Sequence, residues 1–447
     1  MWTRRDLLRA AGVGAAASAL ASLGCGRGAV ATVPAPEARA LGLRAALRDA
    51  AALIATRLRE PVAYAQVRRR VRAAVDLIER DVDDRTTARV VLAGRGADGR
   101  WRERALDRTE PALVLAAARA LIVDAPAGAS AELASGAPID HAPELATDPE
   151  LLTIGDWRAR ADDLATRGEA RSNSRVVYRA AYLVCDDERS WVVSADGDRF
   201  QRLVRTRMGA VAVAWHGNAP AGGAVEVAGG FGPEPARLST EALATANTDA
   251  LALTTPGVFT AIRGPVVLSP TALAAVIDRA WSVAPGGGAV VDAPAHRIDD
   301  APAYASYFFD ALGVDRAAAG PHRRRGGPDA RLTTAPSNLV LAPGDVVELN
   351  AAAGDGYVVD GIAEAGGQGD ELALRATRVR RIAGGKLTGH AWRDVELRGA
   401  ASAMVAGITA RGVRATTVAI DDGGPARAVI TPAAVTVATL VPARGPA

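Results

Sequence analysis

The sequence predicts an α+β protein: a mixed α/β N-terminal domain followed by a β-rich C-terminal domain. Three observations predict it. Residues 40–215 mix helix-period segments with strand-period ones. Residues 337–444 alternate apolar and polar side chains almost throughout, punctuated by the turn signals PGD, GGK and DGG. Between them, VVLSPTALAAVIDRAWSV (266–283) reads as strand, cap and helix. With 447 residues, 49% hydrophobic and 23% charged, the chain can bury the cores of two or three domains.

The elements follow in order. Residues 1–25 form an exported address: the basic TRRDLLR (3–9) precedes the apolar, small-residue stretch GVGAAASALASLGCG. That stretch is too short for a membrane span. Residues 26–38 (GRGAVATVPAPEA) read as a linker. Leu43, Leu47, Ala50, Ile54 and Leu58 recur at helical spacing and predict a helix over about 40–59. RVVLAGRGADGRWRERAL (89–106) predicts two strands around an Ala-Asp-Gly turn, and EPALVLAAARALI (110–122) a helix. DWRARADDLATRG supplies a further helical stretch within 123–170. SRVVYRAAYLVCDDERSWVVSADGDRF (174–200) predicts strands joined by polar turns, and RLVRTRMGAVAVAWHG (202–217) extends the sheet. The N-terminal domain is therefore set at 39–215 and the C-terminal domain at 216–447.

The C-terminal domain opens on VEVAGGFGPEPARLSTEALATANTDALAL (225–253), a Gly-rich turn and a helix that Ser239 or Thr240 can cap. In the stretch 266–283, Ser269 can cap, and Pro270 suits the first helical position. Leu273, Val276, Ile277, Ala280 and Trp281 share one face, leaving Asp278 and Arg279 off it.

Composition excludes several functions. The net charge is +3, too small for this length to argue for nucleic acid. Lys386 is the one lysine, so arginine supplies nearly all the positive charge. HRRRGG (322–327), the densest basic run, reads as a solvated loop. Two cysteines, Cys25 and Cys185, cannot build a disulfide framework, and Cys185 reads as a buried strand thiol. The five histidines (His141, His216, His296, His322 and His390) form no HExxH or HxH. No GxSxG and no GxxxxGK[ST] is present. The acid pairs Asp186–Asp187, Asp299–Asp300 and Asp421–Asp422 are expected in turns.

Four stretches in order carry a resemblance. They are ERSWVVSADGDRFQRLVRTRMGAVAVAW (188–215), VAGGFGPEPARLSTEALATANTDAL (227–251), GPVVLSPTALAAVIDRA (264–280) and APSNLVLAPGD (335–345). The last is followed by GGQGDELALRATRVRRIAGGKLTGHAWRDVELRG. Together they resemble the TldD/PmbA (TldD/TldE) family, which is linked to peptide maturation and, historically, to DNA gyrase modulation. The resemblance is clear over about 175–445 and thin over 40–170. In the family's metallopeptidase half, the helix after that strand carries HExxxH, two zinc-binding His and a Glu that activates water. Aligned from Pro270, those positions hold Asp278, Arg279 and Val283. Arginine cannot serve as a general base and valine cannot ligate. The cysteine ligand expected near the C-terminus is missing as well, since no cysteine follows Cys185.

The resemblance therefore implies a PmbA/TldE-like, non-metal member with no catalytic or metal residue of its own. Its zinc would sit in a TldD-like partner bearing HExxxH, and a peptide substrate would be enclosed between the two. Two alternatives stay open: a stand-alone exported peptide-binding or scaffold protein, and a diverged peptidase with a site rebuilt from His296, Asp299 and Asp300. Arg4–Arg5 with Leu7 and Leu8 resembles the twin-arginine signal, and Ser22-Leu23-Gly24-Cys25 an imperfect lipobox. Cleavage there would leave lipid on Cys25 and attach a periplasmic protein to the membrane.

Overall fold

The computed structural model describes residues 36–443, except 77–78, 124, 126–129, 170–174, 217–218, 231, 235, 254–257, 284–295, 299–306, 310, 312–321, 325–332, 337 and 421–426. Two antiparallel-rich sheets dominate it. The elements of the first are α1 (Pro36–Ala55), β1 (Arg59–Asp76), β2 (Arg80–Arg95), β3 (Trp101–Leu106), α2 (Pro111–Val123), β4 (Ile139–His141) and α3 (Ile154–Glu169). They continue with β5 (Val176–Ser194), β6 (Gly197–His216), β7 (Ala219–Gly230) and α4 (Thr240–Ala252). The strand order is β3-β2-β1-β5-β6-β4, with β7 also on β6. β7 carries this sheet to residue 230, past the position 215 at which the sequence divides. Likewise α1 begins at Pro36, inside the stretch read as linker, and ends at Ala55 because β1 starts at Arg59.

One face of the first sheet is covered by the helices. Leu47, Ile54, Val114 and Ala118 of α1 and α2 pack on Leu92, Trp191 and Val193. Trp157 and Ala161 of α3 pack on Val71, Cys185 and Val204. α4 comes closest: a Cβ at Gly223 would lie 2.1 Å from the Ala246 carbonyl oxygen, so only glycine fits there. Cys185 is buried in mid-strand, as its apolar neighbours predict.

The second sheet comprises β8 (Ile262–Leu268), α5 (Pro270–Val283), β9 (His296–Ile298), β10 (His322–Arg324), β11 (Thr333–Ala335) and β12 (Asn338–Leu341). Then come α6 (Leu349–Ala353), β13 (Gly356–Gly366), β14 (Glu371–Ala383), β15 (Lys386–Trp392), β16 (Val395–Ala400), α7 (Ala401–Ala406), β17 (Ala410–Ile420) and β18 (Arg427–Pro442). β10 and β11 form a separate ribbon. The remaining pairings close on themselves: β14 pairs β13, β13 pairs β8, β8 pairs β18, β18 pairs β16, and β16 returns to β14. Such closure leaves those five strands with partners on both edges over part of their length. α5 lays its apolar face on the ring, with Leu273, Val276 and Ile277 against Leu374, Val395, Val429 and Leu440.

The two halves meet on the other face of the first sheet. Phe309 packs among Val62, Tyr64, Val91 and Val192, and Tyr307 with Leu203 and Ala428. A further junction lies on the helix side, where Arg378 of β14 pairs with Asp249 of α4, and also with Asp360 at 3.0 Å.

Candidate functional site

α5 is built as its sequence dictates. Ser269 Oγ accepts from the Ala272 N–H at 3.4 Å and the Gly361 N–H at 3.1 Å, tying the helix start to β13. Leu273, Val276, Ile277, Ala280 and Trp281 are all buried. Off that face, the Asp278 carboxylate receives both arms of Arg427 from β18, Nε at 2.7 Å and Nη2 at 3.0 Å. This is a two-point, charge-assisted fork with little exposed surface on either side. Arg279 Nη2 reaches the Glu371 carbonyl at 3.5 Å.

These residues do not fit a zinc ion. The Asp278 carboxylate is already charge-paired through both oxygens with the Arg427 guanidinium, so a metal cation there would sit against a fixed positive charge. The next position holds another guanidinium, whose charge would repel the metal. Among the described residues, no three His, Cys, Asp or Glu come together as a metal-binding group. Of the alternative site, His296 begins the edge strand β9, opposite Leu341 of β12. The side chains of His296 and Val283 lie outside the described residues, as do Asp299, Asp300, Asp421, Asp422 and Cys25.

The acid pair Asp186–Asp187 is not in a turn. β5 runs unbroken from Val176 to Ser194, and Asp186, Asp187 and Glu188 are buried in its middle. Their charge is tolerated because the flanking strands bring arginines alongside. Arg68 stands opposite Glu188 on β1, and Arg70 on β1 and Arg205 on β6 stand opposite Asp186. Period-two alternation puts Asp186 and Glu188 on the face toward the C-terminal half, and Asp187 on the helix face.

On the first face, Arg205 Nη2 donates to Glu188 Oε2 at 2.6 Å, and its Nη1 to the Tyr307 hydroxyl at 3.2 Å. Arg205 is 1% exposed and Glu188 3%, so this pair is out of water. Arg68 Nε donates to Asp186 at 2.9 Å. Burial pushes both carboxylates upward, but the surrounding arginines outweigh it and hold each below its ordinary value: Arg68, Arg70, Arg205 and Arg207 for Asp186, and Arg205 and Arg68 for Glu188. Gln201 clamps the neighbouring backbone. Its Oε1 accepts from the Phe308 N–H at 2.9 Å, and its Nε2 donates to the Phe309 carbonyl at 3.4 Å. The Phe308 ring stacks on His141, centroids 4.3 Å apart. On the helix face, Arg202 forks onto Asp148 and reaches Asp187 at 2.7 Å, holding Asp148 down at about 2.

Sequence reading missed this cluster because adjacent acids look like a turn. The available signal was pairing: DDER in one strand-period segment and RLVRTR in the next carry opposite charges, and their register sets Asp186 opposite Arg205, with Arg202 diagonal to Asp187.

The whole chain can now be set beside known structures. TldE from Thermococcus kodakarensis superposes over 90% of this chain and 100% of its own, with a TM-score of 0.67 at 15% identity. A protein described as a candidate modulator of a DNA gyrase, from Thermotoga maritima, gives 0.64 at 16% identity over 91% of this chain and 100% of its own. A second candidate gyrase modulator, from Bacteroides thetaiotaomicron, gives 0.63 at 12% identity, covering 92% and 100%. This chain has the TldE fold. No family profile matches the sequence, and no curated protein does. The TldE fold is what the four stretches of resemblance imply, and here it extends over residues 40–170, where the sequence resemblance is thin. Within the TldE fold of this chain, α5 and β18 are joined by the Asp278–Arg427 pair.

Proposed function

We propose that this chain is the non-metal subunit of an exported, metallopeptidase-type complex that processes peptides. Its partner would be a chain of the same fold that carries HExxxH and holds the zinc. The observation that carries the reading is the Asp278–Arg427 fork: where the resemblance implies a zinc ligand, this chain has a carboxylate held in an ion pair joining helix to sheet, and where it implies a base, Arg279. The α5 helix then contributes architecture, and the chemistry falls to the partner. In this reading the peptide lies between the subunits, its backbone adding to a sheet edge. The twin-arginine-like leader supports export of a folded cargo, with Cys25 as the lipid attachment point.

The test is a pull-down of the tagged mature chain from its native host, with zinc measured in the eluate and the N-terminal peptide weighed by mass spectrometry. A stoichiometric HExxxH-bearing partner, about one zinc per pair and a lipid-modified Cys25 are expected. Recovery of the chain alone with tightly held metal would overturn the reading in favour of a site at His296, Asp299 and Asp300. Recovery alone and metal-free would overturn it in favour of a stand-alone binding protein.

A further inference from the structure

A recess of about 220 Å³ opens on the helix face of the first sheet, where α3 and α4 diverge. Its floor is made of small residues: Ala181 of β5 and Ala210 and Ala212 of β6. Leu164 of α3 and Leu243 of α4, both buried, form its walls. Beside them the recess is lined by a buried amide, Asn247 of α4, which is 5% exposed. Its Nδ2 donates to the Gly168 carbonyl at 3.3 Å, and that bond fixes which end of the amide is which: the free end is the acceptor, Oδ1. Among the described residues nothing donates to this oxygen, and its neighbours do not seal it in. The charged side chains at the mouth are already engaged. Arg80 pairs with Asp162 at 2.8 Å, Asp76 accepts from the Glu79 N–H at 2.8 Å, and Glu169 has a partner of its own. The ligand is therefore read from the interior and not from the mouth.

We propose that this recess binds a neutral, side-chain-sized apolar molecule that ends in a hydroxyl. Its body lies on the alanine floor between the two leucines, and its O–H is donated to Asn247 Oδ1. Size and hydrogen bonding each restrict the ligand. Whole small-molecule sites are typically about 300–1,000 Å³, so this one takes roughly a single side chain. A buried acceptor without a donor has given up water and gained nothing in exchange, so a guest that brings a donor gains over an apolar guest of the same size. The inference rests on α3, α4 and the sheet beneath them, and not on the proposed partnership.

Calorimetry on the full chain tests it, with p-cresol set against toluene, which is smaller, and 4-methylanisole, which is larger. Neither comparison compound can donate. p-Cresol should bind at least about tenfold more tightly than either, a preference of roughly 1.4 kcal/mol. Ala165→Leu, at a half-buried position on the wall, should abolish p-cresol binding and keep the parental melting temperature. Asn247→Leu removes the acceptor and should erase the preference for p-cresol over toluene. N-acetyltyrosinamide separates the sources: its binding supports a peptide side chain as the guest, and binding of p-cresol without it supports a free hydroxyl compound. Absence of p-cresol binding, equal affinity for p-cresol and toluene, or p-cresol binding undiminished in a folded Ala165→Leu chain would overturn the proposal.

Discussion

Glu188 and Arg205 form a buried pair whose partners cannot be removed singly without cost. Glu188→Ala leaves the Arg205 guanidinium in a dry interior, and it should destabilise the chain by about 3–5 kcal/mol in denaturant titrations. The same carboxylates set an acid limit. Asp186 and Glu188 titrate lower in the folded chain than in the unfolded one, so their contribution is fully present above the ordinary carboxylate range. It is lost as pH falls through their folded values. Melting temperature should therefore hold level above about pH 5 and drop below about pH 4. The double variant Asp186→Asn, Glu188→Gln should show a shallower acid limb; an unchanged limb would assign the acid sensitivity to other carboxylates. At this scale the sequence was partly legible. Ser269 and the buried face of α5 follow from local rules, whereas Asp186–Glu188 depend on strands over a hundred residues away on β1.

β5 and β6 show how one position can serve three strands. Tyr182 on β5, Gly209 on β6 and Glu226 on β7 stand in line, and the Tyr182 hydroxyl crosses over Gly209 to donate to Glu226. A Cβ at Gly209 would sit 2.3 Å from the ring. Gly209→Ala should therefore cost about 1–3 kcal/mol, since Tyr182 is fully buried and cannot swing out. A melting curve within error of the parent would show that the ring has room to shift. The elements themselves were legible wherever periodicity was local: the α2 helix, the β2–β3 hairpin and the α5 cap all stand where pattern puts them. The polar middle of β5 was not, because its partners, rather than its own residues, keep it extended.

The molecule as a whole is two sheets joined through a few side chains. Arg378 reaches from the second sheet to Asp249 on α4, which packs on the first. Asp249→Ala should leave Arg378 with Asp360 alone and loosen this junction, costing about 1–3 kcal/mol. Differential scanning calorimetry should then resolve two transitions where the parent gives one. The fold class was readable from alternation and turn signals, and the TldE likeness from four ordered stretches. The Asp278 ion pair was not readable, because its second member, Arg427, lies 149 residues along the chain. The closed ring of the second sheet has one more consequence. Its seam is β18, which joins β8, β12, β16 and β17 and is the last of those strands to be synthesised. While the ribosome still holds that stretch, the C-terminal half has no way to shut. A message cut short before residue 427 would yield a C-terminal half whose ring of strands stays open.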